Sequence, residues 1–434
     1  GQENSQWDNV PVGGGGRTVG FIGSPTSDVI YLRTDVAGMY KKRANEANWT
    51  RLTQKFGPEY GERMSGCAGL GVHPTDDNIL YAALSKGLYK STDQGDTWEQ
   101  VLPLRIFPNG GRVDRSDRNY GEALVVDPFN GEVVYYGSQD QGLFYSRNGG
   151  RDWNTISTNQ LPANGSRSVV VDHTRARINI GTENERARFV YVSVRNEGLY
   201  RSNDGGASFS QWQDTLPGGG TYIRWLRISQ NGELYAAHEK GLARGDGTDW
   251  ADVSPVSGAE VTTVATDPRN NNQVICFTSG NIYRSQNRGE SWEIVPYQVG
   301  DIAPWSADRY RPGQVTTFAL YIDDQSEGEN NKAYVCSNYL PWQTNDIWAP
   351  TTIWDARYRG NEMTINITGI SLPGDRAPYI SGIADIRGFV HNDITQYPEQ
   401  QANIPLEDLE AGFFTPNFPG IDYSETNPDV VWFF

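Results

Sequence analysis

The chain has 434 residues, with 37 Lys and Arg against 53 Asp and Glu, for a formal net charge of −16. The charges are scattered and form no basic cluster, so nucleic acid and anionic membranes are repelled and neither is an expected partner. No apolar run approaches the roughly 18 residues of a membrane-spanning helix, and 48 Gly, 13 Trp and 23 Tyr suit an all-β chain of short strands and tight turns.

The chain starts at Gly1 without a leader, as expected of a mature secreted protein whose signal peptide has been removed. Residues 7–53 read as the first repeat unit. Gly13 to Gly16 is a glycine run with no Gly-Lys-Ser/Thr ending, so it is no phosphate loop. Backbone crowding near a propeller axis or against a ligand explains it better. Val19 to Gly23 and Val29 to Arg33 are apolar strands, the second running into Thr34-Asp35-Val36-Ala37-Gly38-Met39-Tyr40. Cys67, Cys276 and Cys336 are widely spaced, odd in number and read as buried free thiols. His73, His173, His238 and His391 are too dispersed for a zinc site, and no metal or cofactor is expected.

A hairpin pattern then recurs. Gly87-Leu88-Tyr89-Lys90 alternates like a strand with one buried face and leads into Ser91-Thr92-Asp93-Gln94-Gly95-Asp96-Thr97-Trp98. The Asp accepts hydrogen bonds within its own turn and the Trp plugs the base. Further copies start at Ser146, Ser202 and Ser285, with a worn one at Ala243, giving steps of 55, 56, 41 and 42 residues. The first strands of these units end in His73-Pro74, Asp127-Pro128 or Asp267-Pro268. Repeats of this length holding several strands signify propeller blades. Tyr334 to Trp348, with Ile353-Trp354, reads as a seventh unit whose hairpin motif is erased. The expected architecture is a seven-bladed β-propeller over residues 1–354. Residues 355–434 then begin a second propeller, incomplete in this chain. Thr364 to Ile370 and Pro378 to Phe389 look like strands there, and Asp429 to Phe434 resembles the second strand of a fresh blade.

The hairpin resembles the Asp-box of sialidases, sortilin-like receptors and several glycoside hydrolases, in which it is structural and leaves function open. A more specific resemblance runs along nearly the whole chain. Glycoside hydrolase family 74 holds xyloglucan-cleaving endoglucanases and reducing-end-specific cellobiohydrolases, built from two seven-bladed propellers facing across a cleft. Its Arg-Thr-Asp-Val-Gly-Gly-x-Tyr signature is matched by Arg33 to Tyr40. Asn119-Tyr120-Gly121-Glu122 followed by Val126-Asp127-Pro128 looks like another family segment. The opening of the family's second propeller is matched by Gly360-Asn361-Glu362-Met363-Thr364 and by Ala384-Asp385-Ile386-Arg387-Gly388-Phe389-Val390-His391. The resemblance implies Asp35 as general base and Asp385 as general acid, one from each propeller, in an inverting hydrolase of the xyloglucan β-1,4-glucan backbone. Inversion holds the two carboxyls about 6.5–9.5 Å apart to admit water, and the acid needs a raised pKa. Ala37, Ala384 and Arg387 replace family glycines. In a continuous strand Arg387 shares a face with Asp385 and favours its charged form.

Sugar sites are commonly floored by aromatic rings. Tyr120, Trp305, Trp342, Trp348 and Trp354 lie outside the hairpin-plug positions and are the candidate stacking residues. The expected partner is a neutral plant cell-wall polysaccharide. With most of the second propeller absent, the chain reads as a genuine truncation or as one fragment completed by a second polypeptide. Two other classes fit part of the pattern. A carbohydrate-binding pseudoenzyme is favoured by the glycine replacements. A sialidase or sortilin-like receptor shares Asp-boxes, but no Arg-Ile-Pro signature is present and three cysteines are too few for a disulfide-rich module.

Overall fold

The computed structural model describes residues 10–14, 16–53, 56, 66–107, 121–163, 167–171, 177–178, 185–246, 248–278, 280–306, 311–312, 318–325, 331–364, 366–374, 378–383, 386–399 and 420–433. The described residues are almost wholly strand and turn, with one short 3-10 helix at Pro304–Ser306. The first sheet orders Thr18–Gly23, Val29–Thr34, Met39–Arg43 and Thr50–Arg51 as successive antiparallel neighbours. Six more sheets of four or five strands follow, within residues 69–103, 124–155, 167–213, 223–252, 263–294 and 297–356. First strands touch in chain order: Thr18–Gly23, Gly69–Val72, Leu124–Asp127, Arg167–Val171, Ile223–Ile228, Thr263–Asp267 and Phe318–Ile322. The last of them packs back on Thr18–Gly23, so the array is a closed ring, a β-propeller.

Burial is graded across each blade. The second strands Leu80–Leu84, Val190–Val194 and Leu234–His238 are buried at every position, whereas the outer strand Glu99–Pro103 is not. Sheets stacked face to face cover both sides of their inner strands, which therefore read as continuous apolar runs. This corrects the one-buried-face reading of Gly87–Ser91, where only Lys90 is partly exposed. The 56-residue step from Ser146 to Ser202 has a local cause: the fourth sheet carries an inserted hairpin, Arg177–Ile178 with Arg186–Ala187, between its first two strands.

Beyond the ring, Asn366–Ile370, Tyr379–Ile383 and Arg387–His391 form a three-stranded sheet, and Ile421–Ser424 pairs with Asn427–Phe433. The stretch expected as one strand from Pro378 to Phe389 is thus two strands. The C-terminal strand Asn427–Phe433 pairs antiparallel with Ile421–Ser424. Ile383, Ile386 and Phe389 share a core with Trp305, Trp342 and Trp354 of the seventh sheet region, so this second unit grows from the propeller's own packing. Glycine crowding has a specific source here. A Cβ on Gly13 would strike Tyr358 and one on Gly16 Met363, both in the segment leading out of the ring, while one on Gly14 would strike the Tyr339 carbonyl.

Candidate active site

Strand direction sorts the propeller into two faces. In the first sheet the turn after Val29–Thr34 carries Asp35, while the turn after Met39–Arg43 lies at the opposite end of the strands. Asp-box hairpins follow third strands, so they and the Asp-Pro corners occupy the face away from Asp35. On that hairpin face the motif is a closed hydrogen-bond unit. Asp93 Oδ1 accepts from the Thr97 amide at 2.8 Å and Oδ2 from the Thr97 hydroxyl at 2.6 Å. Ser91 Oγ accepts from the Gly95 amide at 2.8 Å, and Trp98 Nε1 donates to Gly95 O at 3.0 Å. With its acceptors used internally, the motif has no chemistry to offer a substrate.

Asp35 sits in a tight turn and is 3% exposed. Thr34 Oγ1 accepts from the Ala37 amide at 2.9 Å, the Thr34 amide donates to Gly38 O at 3.0 Å, and Gly38 closes the turn at φ +78°. The Asp35 amide donates to Arg17 O at 3.1 Å, and the Cys67 amide donates to Thr34 O at 2.8 Å. A Cβ on Gly66 would collide with the Asp35 carbonyl, so residue 66 fixes how closely the second blade approaches this turn. Ala37, which stands where the family has glycine, keeps a negative φ and packs in the core at 7% exposure. The replacement therefore adds a methyl group without left-handed strain.

Behind the turn the two ring-side family segments meet. Arg33 Nη2 lies 3.6 Å from Glu122 Oε2, and Nη1 donates to Ala68 O at 3.4 Å. The Arg33 guanidinium lies against Gly20, where a side chain would leave it no room. Glu122 also acts on Arg227, whose guanidinium is held below its ordinary value by burial, with the carboxylate's attraction opposing that shift. Of this Arg33–Glu122–Arg227 group, the sequence placed Arg33 and Glu122 in family-like segments and gave no sign of Arg227, because nothing in the spacing pairs residue 33 with residue 122 or 227. The Asp35 face also carries Tyr222, with the Arg195 and Arg224 guanidinium carbons 4.7 and 5.1 Å from its ring centre.

The aromatic candidates fare differently. Trp305, Trp342 and Trp354 are 3%, 1% and 0% exposed and belong to the core. Trp305 Nε1 donates to Val12 O and Gly13 O, Trp342 Nε1 to Ser337 Oγ, and Trp354 Nε1 to Thr352 Oγ1. Packed on both faces, none of the three can floor a sugar ring, which corrects that expectation. Trp348 is part-buried in the hairpin between Pro341–Thr344 and Thr352–Ala356, on the face away from Asp35, with Nε1 2.6 Å from Asp267 Oδ2. It staples the seventh blade to the sixth, as Trp292 does the sixth to the fifth through Val253 O at 2.7 Å. Tyr120 and Asp385 lie outside the described residues. Tyr379–Ile383 and Arg387–His391 are the second and third strands of their sheet, as Val29–Thr34 and Met39–Arg43 are of the first.

Comparison with known proteins gives three kinds of match. The family model "Sortilin, neurotensin receptor 3" matches residues 86–240, about a third of the chain, the stretch that holds three intact hairpins. A xyloglucanase of Acetivibrio thermocellus is 26% identical over 98% of this chain and 57% of its own length. Among solved structures, a GH74 enzyme of Niastella koreensis superposes with TM-score 0.80 at 25% identity, covering 98% of this chain and 64% of its own. The GH74 xyloglucanase of Xanthomonas campestris gives 0.81 and 25%, covering 98% and 65%. The chain therefore spans less than two thirds of the relatives it matches.

Proposed function

We propose that this chain, a relative of the family 74 glycoside hydrolases along 98% of its length, carries the Asp35-bearing part of an inverting hydrolase for the β-1,4-glucan backbone of xyloglucan. The observation that carries the reading is the Asp35 turn. It is a rigid, buried carboxylate on the propeller face free of Asp-boxes, inside the segment that matches the family signature. The division into a propeller over residues 1–354 and the opening of a second over 355–434 is part of the same proposal, as is secretion.

Inverting hydrolysis needs an ionised carboxylate to take a proton from water on one side of the sugar and an acid to protonate the leaving oxygen on the other. Asp35 is assigned the base. Asp385 is assigned the acid because residues 384–391 resemble the opening of the family's second propeller. Water attacks the anomeric carbon as its bond to the leaving oxygen breaks, and the new reducing end is α. A neutral glucan approaches a chain of charge −16 without the repulsion an anionic substrate would meet.

The test is release of reducing ends from tamarind xyloglucan, with proton NMR of the first-formed anomer. Asp35→Asn and Asp385→Asn are each expected to lower kcat by about 10²–10⁴ with KM little changed. Retained turnover in both variants, or a β product, would overturn the assignment. Binding of xyloglucan without turnover by the wild-type chain favours the second reading, a carbohydrate-binding propeller whose cleft needs the remaining length of its relatives.

A further inference from the structure

A cavity of about 260 Å³ opens in the seam between the first and seventh sheets, beside the turn at residues 44–47 and at the other end of the strands from Asp35. Its wall brings together Lys42, Lys332, Arg357 and Arg359, with Glu46 and Asp301 of opposite sign among the described residues. In a chain with a charge of −16 such a gathering runs against the prevailing field. One of the two carboxylates, Glu46, is engaged locally, and the backbone at the other is held in place. Glu46 Oε2 accepts from the Arg43 amide at 2.8 Å, and Asp301 follows the turn at Gly300 that is fixed by the Asp355 side chain. Neither Lys42 nor Lys332 is ion-paired with a carboxylate among the described residues. Lys42, 7% exposed, donates only to Arg43 O at 3.2 Å. Arg357 is held in place by Gln343 Oε1 at 2.9 Å and Asp355 Oδ2 at 3.3 Å, and Arg359 lies over the Tyr358 and Tyr397 rings.

A buried cation without an ion-pair partner, as Lys42 is among the described residues, is costly unless something anionic neutralises it. We propose that this seam cavity is a binding site for a small oxyanion, either an inorganic sulfate or phosphate or the carboxylate of an acidic sugar, held by Lys42, Lys332 and Arg359. Because the cavity joins the first blade, the seventh blade and the segment that leaves the ring, a bound anion stabilises ring closure by mass action. Lys42 is already pushed down to about 8, by burial first and then by Arg357 and Lys332, with Glu46 and Asp28 pulling the other way. Its ammonium is therefore lost as pH rises through that value, and anion affinity goes with it.

Calorimetric titration and thermal shift with sodium sulfate, sodium phosphate and sodium galacturonate test the proposal, with galactose as the neutral control. Saturable binding is expected for the anions and none for galactose. Preference for galacturonate assigns the sugar acid, and preference for sulfate or phosphate assigns the inorganic ion. Lys332→Ala, at a partly exposed position, and Arg359→Ala, at an exposed one, are expected to weaken binding about tenfold or more, the effect of losing one charge-assisted hydrogen bond. Sulfate, which keeps its charge, is expected to bind more weakly at pH 9 than at pH 7. No saturable anion binding, unchanged affinity in both variants, or affinity independent of pH would overturn it.

Discussion

The Asp35 turn depends on residues that carry no chemistry of their own. Thr34, Gly38 and Gly66 place the carboxylate by backbone hydrogen bonds and close approach. Gly66→Ala is expected to cost about 1–3 kcal/mol, because the methyl has only backbone to push against, and urea denaturation would measure it. The same variant should lower kcat of any surviving folded fraction if the turn is displaced. Arg33 and Glu122 are a coupled pair at the ring's centre, so removing either leaves a largely buried charge partly uncompensated. Ala37 shows the other side of the argument. A departure from the family pattern looked threatening in one dimension, yet its backbone φ makes it an ordinary substitution.

At the scale of the element, the hairpins hold blades together. Trp98 is part-buried and stacks on Phe56 with centroids 6.1 Å apart. Trp98→Ala is therefore expected to cost about 2–4 kcal/mol, somewhat less than emptying a fully buried site, with turnover intact in folded protein. Asp93 adds a pH dependence. Burial pushes its carboxyl up, but the Thr97 and Ser91 bonds outweigh that and hold it below the ordinary range. A carboxyl lowered by folding contributes its stability above its unfolded value, about 4, and loses it as pH falls through the folded one. The gap in melting temperature between wild type and Asp93→Ala should thus be full at neutral pH and shrink in acid. The Asp-Pro corners belong to the same system. Asp127 Oδ2 accepts from the Ala187 amide at 2.9 Å, and Asp267 takes the Trp348 indole, so each ties its blade to the next.

At the scale of the molecule, the ring is closed by chain segments some 350 residues apart. Glu362 accepts from the Val12 amide at 2.9 Å and the Gly13 amide at 3.1 Å, while the Tyr40 hydroxyl donates to Glu362 O at 2.8 Å. Trp49 Nε1 donates to Arg357 O at 2.7 Å, so the departing segment is pinned along the first blade. Glu362→Ala should therefore destabilise by about 1–3 kcal/mol through unpaired buried amides, seen as a lower urea midpoint. The far-UV circular dichroism spectrum should report well under a fifth helix, against the third typical of globular domains.

The sequence alone determined the all-β class, the hairpin rhythm, the free buried thiols and the kinship of the chain, because these are written in local patterns of turn residues and alternating strands. It also located the Asp35 turn, whose signature is eight consecutive residues. Tertiary structure decided which aromatic rings are available. Trp305, Trp342 and Trp354 have the composition of a sugar platform but sit where blades stack on one another, and burial on both faces is a property of neighbours far away in the chain. The Arg33–Glu122 contact and the cationic seam were likewise invisible in one dimension. Each gathers charges from different blades, and only closing the ring brings residues 42, 332 and 359 to one cavity.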